Sequence, residues 1–281
     1  MIRRLILFAS YDRDGLAGPS LLYFLKSLDA LGDVVFVSDA SMDESEKDKL
    51  RPYCIHVQAE HHGEYDFGSY KRGLEYALAN LEPESYDYLY LVNDSVFGPL
   101  ANLAETFCKM EALDKAAFSL VLNPHRRHPH MQSWFIGLRQ EVFLSDWFIS
   151  FLRSVSVQDS KEDICVKYET GLTELMESKG IVYDAAYKLS GRQIYNSVKK
   201  IWKMGIPFIK KSSFTRHNGS LGNQIAYVLG QAGPAAGPVL ADAERLFGEE
   251  YTRKLLSCGI LASAGRYLAY LLSKVGLLRI S

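Results

Sequence analysis

The sequence predicts an α/β protein with a mainly parallel sheet flanked by helices, followed by a C-terminal helical appendage. Three observations lead there. Short β-branched and aromatic runs alternate with amphipathic stretches of helix length through the first half of the 281 residues, as βαβ units require. Acidic residues stand just past several of these runs, where an open α/β sheet binds its ligands. A Gly/Pro-dense stretch at 230–238 then precedes two helix-like segments.

Residues 5–10 read as the first strand and 19–28 as a helix opened by Pro19. A second strand covers 33–38, a short helix 45–50, and a third strand 54–58. Residues 69–80 form a helix with Leu74, Ala77 and Leu78 on one face. The fourth strand, 88–92, delivers Asn93-Asp94-Ser95 to its C-terminal end. Further strands are expected at 116–122 and 131–139, and helices at 141–153 and 166–179, the latter closed by Gly180. Residues 181–185 return to extended chain. Beyond the break, 239–258 and 260–279 are helical. The resulting partition is a domain of 1–229, a linker of 230–238 and a tail of 239–281.

Composition narrows the function classes. A formal net charge of -1 gives no general pull toward nucleic acid, so no nucleic-acid partner is expected. Cys54, Cys108, Cys165 and Cys258 are far apart and make no CxxC or Cys/His metal spacing, which suits buried thiols in a reducing compartment. The apolar run near Met1 is too short for a secretory signal. No uncharged apolar stretch reaches the ~18 residues of a membrane span. A cytoplasmic location is expected.

Asp94 is aimed at the crevice beyond the strand ends. A lone carboxylate there can hold Mg²⁺ or Mn²⁺ against a diphosphate, because such cations complete their shell with phosphate oxygens. A turn or capping aspartate is the structural alternative. Tyr11 and Asp39, after the first and second strands, are placed to meet a ribose or base; Asp39 equally suits the N-cap of the next helix. Within His61-His62-Gly63-Glu64-Tyr65-Asp66, and on to Lys71, Asp66 offers an acceptor and Lys71 lies in the first helical turn, where an anion docks. His61 and His62 are adjacent, point different ways and lack a third ligand, so zinc is not expected. Residues 123–130 and the pair Lys210-Lys211 are basic clusters that fit phosphate binding or solvated surface charge. Glu169, in Tyr168-Glu169-Thr170-Gly171, opens a helix. That placement is favourable electrostatically and also suits a rigid general base.

Several blocks occur in a specific order: Phe36-Val-Ser-Asp39, then Gly63-Glu-Tyr-Asp-Phe-Gly-Ser-Tyr-Lys71 with Gly73-Leu74, then Asn93-Asp-Ser-Val-Phe-Gly-Pro99. His130-Met-Gln-Ser-Trp-Phe135, Tyr168-Glu-Thr-Gly-Leu172 with Gly180, and Gly205-Ile-Pro-Phe-Ile-Lys210 follow. In this order and spacing, over roughly residues 3 to 218, the chain resembles the rhamnan synthesis F family of bacterial glycosyltransferase-like proteins. The resemblance implies a GT-A-like fold of Rossmann type. It implies inverting, metal-assisted transfer of rhamnose or another hexose from a nucleotide-sugar donor to a polysaccharide or O-antigen, free or lipid-linked. Asn93-Asp94-Ser95 stands where such enzymes carry Asp-X-Asp, with one acid in place of two. The resemblance makes Asp94 a metal ligand, His217 a late further ligand and Glu169 the base. It places His130, Gln132, Ser133 and Trp134 around the donor sugar and acceptor. Tyr11, Asp39, Asp66, Lys71, Asn93, Ser95 and Lys210 are placed around the nucleotide and its diphosphate.

In the tail, Leu261, Ala264, Tyr267, Leu268, Leu271 and Val275 recur at helical spacing among Arg266, Lys274 and Arg279. Such a face fits an interfacial helix at the inner membrane surface, or packing against the domain or a partner. Two other function classes are in view. The lone acid at 93–95 favours an inactive scaffold that binds nucleotide-sugar or glycan. A dinucleotide-dependent sugar-modifying enzyme is opposed by Tyr11-Asp-Arg-Asp-Gly-Leu-Ala-Gly18, which holds no GxGxxG.

Overall fold

The described residues, 2–216 and 219–274 of this computed structural model, contain ten strands. They are β1 (Arg4–Ser10), β2 (Asp33–Ser38), β3 (His56–Ala59), β4 (Tyr88–Asn93), β5 (Val96–Phe97), β6 (Ala117–Asn123), β7 (His130–Met131), β8 (Phe135–Arg139), β9 (Tyr183–Lys188) and β10 (Ile209–Lys210). Contacts divide the chain into two units, Met1–Asp94 with Leu103–Ser190, and Ser95–Asn102 with Gly191–Ser281.

In the first unit β3, β2, β1 and β4 lie side by side and parallel. β8 runs antiparallel to both β4 and β6, and β9 pairs parallel with β6. Short β7 pairs with the end of β6. A mainly parallel sheet with one reversed strand inside, covered by helices, is the GT-A-like arrangement expected from the sequence.

One face of the sheet is covered by the helix Tyr65–Asn80. Its Phe67, Tyr70, Leu74 and Ala77 share a core with Leu5, Leu7, Val35, Leu89 and Leu91 of the strands, and their helical spacing makes one apolar face. Gly73 allows the close approach, since a Cβ there would stand 3.2 Å from Leu7. Alternation sends Phe8, Phe36 and Tyr90 to the other face. There Phe8 meets Phe24 of the helix Pro19–Asp29, at 5.3 Å between ring centroids, and Tyr90 meets Phe107 of the helix Leu103–Glu111, at 4.5 Å. The latter helix is absent from the sequence reading.

Several elements differ from expectation. The strand read at 131–139 is broken between β7 and β8 by Gln132-Ser133-Trp134. The helix read at 141–153 is two pieces, Gln140–Phe143 and Asp146–Arg153, because Ser145 caps the second by accepting from the Phe148 amide at 3.3 Å. The helix read at 166–179 begins at Lys161 and passes through a π-helical turn, Cys165–Thr170, before Gly171–Ser178. Gly180 follows with φ +69, as read.

The second unit is described by itself. β5 and β10 pair antiparallel, and Phe97, Phe214 and Phe247 cluster behind them. The Gly/Pro stretch 230–238 is a tight corner rather than an open linker. The helix Leu221–Gln231 ends, Gly233 takes φ +58, and a 3-10 turn leads into the helix Ala236–Phe247. Left-handed Gly is what such a stop requires. Gly248, at φ +92, likewise splits the helix read at 239–258. The last helix, Ile260–Lys274, leaves Leu261, Tyr267, Leu268 and Leu271 exposed; Val275 and Arg279 lie outside the described residues. Among those residues no helix is long and apolar enough to cross a membrane.

Candidate active site

Parallel pairing of β1 with β4 puts Ala9 beside Asn93, so both strands end at the same edge. Asp94 is anchored there. Its amide donates to the Ala9 carbonyl at 3.1 Å, and its Oδ2 accepts from the Ser10 hydroxyl at 3.0 Å and the Tyr11 amide at 3.4 Å. Buried Asn93 donates from Nδ2 to Asp66 Oδ2 at 2.8 Å, and its amide donates to the Trp134 carbonyl at 3.2 Å. Asn93 thus ties Asp66 of the helix Tyr65–Asn80 to the end of β4, while Asp94 beside it is held by the end of β1.

The break between β7 and β8 supplies the other side. Ser133 donates from its hydroxyl and, at 3.2 Å, from its amide to Glu169 Oε2. His130 Nε2 stands 3.4 Å from Glu169 Oε1. Glu169 sits in the π-helical turn, not at a helix N-terminus as read. A π-turn inserts an extra residue and re-aims the side chains it carries; here the Gly171 amide reaches back to Val166.

Tyr70 joins the two sides and was missed in the sequence. Its hydroxyl donates to the Ser133 carbonyl at 3.0 Å. Complete burial, reinforced by the charge of Asp66 and more weakly by those of Glu169 and Asp94, pushes this phenol well above its ordinary pKa. At i+3 from Phe67 and i−4 from Leu74 it reads as plain core, so its hydroxyl gave no separate signal.

Gln132 and Trp134 are turned inward. The Trp134 indole is 2% exposed and donates to Gln132 Oε1 at 2.8 Å. It braces the strand break and presents no open ring face for a sugar, contrary to the sequence reading. Ser133, between them, is the residue of the break whose side chain meets Glu169.

Asp39 is committed to the backbone. Oδ1 accepts from the amides of His62 and Gly63 at 2.7 and 2.8 Å, and Oδ2 from the Tyr65 amide at 3.1 Å. Burial alone would raise its pKa; these amides outweigh it and hold the carboxyl below its usual range. Asp39 does not cap the next helix, which starts after Asp43. It organises the loop that starts the helix Tyr65–Asn80, with Gly63 at φ +71 and Tyr65 at φ +56. That earlier start places Lys71 in the second turn, not the first. Lys71 donates to Glu64 Oε1 at 2.8 Å and to the Val155 carbonyl at 2.7 Å, so it is an internal tie. His62 accepts from the Glu64 amide at Nδ1 and faces the Ser69 hydroxyl through Nε2. Burial, only partly offset by Asp39, lowers its pKa to about 4, so its 3.5 Å approach to Asp39 is no ion pair at neutral pH.

In the second unit Lys210 is buried and donates to the Ser95 hydroxyl at 2.9 Å. His217 lies outside the described residues. Among the described residues no three His, Cys, Asp or Glu side chains cluster to hold a metal. At the strand edge Asp66 is engaged by Asn93, which leaves Asp94 as the candidate carboxylate for a cation. It fits Mg²⁺ or Mn²⁺ coordinated largely by a ligand's phosphate oxygens and water, and does not fit a cage built by protein alone. In the basic loop, His128 pairs with Glu174 at 3.2 Å, both exposed.

Two carboxylates therefore lie near buried Tyr70 in this α/β unit: Asp94 at the end of β4, and Glu169 held by Ser133. A family model described as rhamnan synthesis protein F matches residues 34–233, and the chain belongs to that family. Among curated relatives, the uncharacterized protein y4gN of Sinorhizobium fredii is 24% identical over 158 residues, covering 55% of this chain and 40% of that protein. Virulence protein VirA of Vibrio anguillarum is 28% identical over 159 residues, 56% of this chain and 50% of its own length. The matched region thus spans about half or less of those relatives. Among solved structures, S. aureus TarS residues 1-349 is similar at 14% identity and TM-score 0.41, covering 91% of this chain and 90% of that one. Core-mannan synthase A of Aspergillus fumigatus, in an Mn/GDP form, is similar at 12% identity and TM-score 0.31, covering 54% and 63%.

Proposed function

We propose that this chain is a glycosyltransferase of cell-surface polysaccharide synthesis, moving a hexose from a nucleotide-sugar donor to a glycan acceptor, with inversion. Family membership supports the class. The observation that carries the reading is the placement of Asp94 and Glu169 around buried Tyr70, with Glu169 oriented by both donors of Ser133.

In this reading Glu169 accepts the proton of the acceptor hydroxyl. The hydroxyl oxygen bonds to the anomeric carbon opposite the diphosphate, and the anomeric C–O bond breaks with its electrons leaving on the diphosphate. Asp94 would hold a divalent cation, which stabilises the developing charge when bound. Ser10 and the Tyr11 amide fix the Asp94 carboxylate at the end of β1.

The lone acid at positions 93–95 favours a second reading, a non-catalytic nucleotide-sugar binder. Incubation with UDP-, GDP- and dTDP-hexoses, with Mn²⁺ or with EDTA, tests both. Consumption of one donor, lost in Glu169→Gln, is expected. A thermal shift with a donor that is never consumed, by hydrolysis or transfer, would sink the transferase and leave the binder.

A further inference from the structure

Glu169 offers its two oxygens to different neighbours. Oε2 is occupied by the hydroxyl and amide of Ser133, whereas Oε1 faces His130 Nε2 at 3.4 Å. The second imidazole nitrogen decides what Nε2 can be. His130 Nδ1 lies 2.9 Å from the His128 carbonyl, and a carbonyl only accepts, so Nδ1 carries the hydrogen. In the neutral ring Nε2 is then an acceptor, and the Asn123 amide approaches it at 3.5 Å. A carboxylate oxygen and an imidazole lone pair therefore converge. Their contact becomes attractive only when a proton resides on one of them. The two side chains are 16% and 21% exposed, so water screens them only in part.

We propose that Glu169 and His130 form a single proton-holding unit, in which His130 is a positioning residue that receives the proton Glu169 removes. This deepens the transferase reading and rests on it. The acceptor O–H bond breaks, the proton passes to Oε1 and on to Nε2, and the step ends with carboxylate beside imidazolium. The imidazolium returns its proton to water. Ser133 keeps Oε2 out of the exchange, so one oxygen is structural and the other chemical. The groups facing the unit are Asn123 from β6, Ser133 from the strand break, the His128 carbonyl from the loop, and Tyr70 from the covering helix. His128 itself is engaged by Glu174 at 3.2 Å.

The test uses the full chain labelled with ¹⁵N-histidine, with His130→Gln assigning that residue among seven histidines. Neutral His130 should carry its hydrogen on Nδ1. In Glu169→Gln its Nε2 resonance should move, because the facing carboxylate is gone. An Nε2–H tautomer overturns the proton-receiving role, and an Nε2 resonance identical in Glu169→Gln overturns the pairing. Should that variant fail to fold, Glu169→Asp withdraws the carboxylate instead, and an unchanged resonance there has the same force. With a consumed donor, His130→Gln should lower kcat about tenfold or more with KM within about twofold, and should reshape the acid limb of the kcat profile. An unaltered acid limb overturns the proton-receiving role. The NMR readout needs no substrate, so a paired His130 in a protein that consumes no donor sinks the transferase reading, and the proton role with it, but not the pairing.

Discussion

Tyr70 donates its phenolic hydrogen to the backbone carbonyl of Ser133 at 3.0 Å, joining the helix that covers the parallel strands to the break that holds Glu169. Tyr70→Phe keeps the ring in the core and removes the hydroxyl, which makes this bond and also meets the Asn93 side chain. It leaves a buried carbonyl without its donor, which costs about 1–3 kcal/mol. Urea denaturation should show that loss, and a midpoint matching the wild type would mean the carbonyl finds another partner.

Glu169→Gln preserves the length of the side chain and its acceptance from Ser133, but removes the basic site. Sugar transfer should drop about 10²-fold or more, while the melting temperature changes little. Retained turnover in a folded variant would move the base elsewhere.

Asp94→Asn should separate donor binding from metal. A tight donor at about a hundredfold excess over its Kd stabilises a protein by roughly 2.7 kcal/mol. With Mn²⁺ present, wild type should show a shift of that order by calorimetry and Asp94→Asn a much smaller one. Equal shifts in both proteins would remove Asp94 from metal binding.

His62 gives a pH signature. Its folded pKa is about 4 against an ordinary value of 6.5, through burial. Between those values the unfolded chain binds a proton that the folded chain refuses, so stability falls as pH drops from 6.5 toward 4. Asp39 acts in a lower window. Its lowered folded pKa contributes stability that is present above the unfolded value of 3.8 and lost as pH falls through the folded one. His62→Gln should flatten the first window and leave the second. Urea midpoints measured across both windows check this, and an unchanged slope in the upper one would contradict a neutral His62.

The parallel half of the sheet was legible because β1, β2 and β4 declare themselves by unbroken apolar runs bounded by polar residues. The start of the covering helix was not, because it depends on Asp39 gathering amides from residues 62–65, a tertiary effect with no local periodicity. The helix Leu103–Glu111 carries Leu103, Phe107 and Met110 on one face, but it is short and follows closely on the Gly98-Pro99 break, so its periodicity is weak in the sequence. Asp94 was visible as an acid at a strand end, and Glu169 as an acid ahead of Gly171, although its helix begins earlier than its sequence suggests. That His130 and Ser133 divide the oxygens of Glu169 between them was not visible, since it follows from a strand interruption and a helical irregularity meeting in space.

The irregularity at Cys165–Thr170 has an evolutionary consequence. Successive residues of an α-helix are offset by about 100°, so losing one residue from this stretch would let the turn relax to regular geometry and swing Glu169 off its serine. The core residues on either side would keep their identities. A one-codon deletion would thus part Glu169 from Ser133 while leaving the sheet intact, and a homologue so altered would be recognised by its length between Ile164 and Gly171 before any change in its acids.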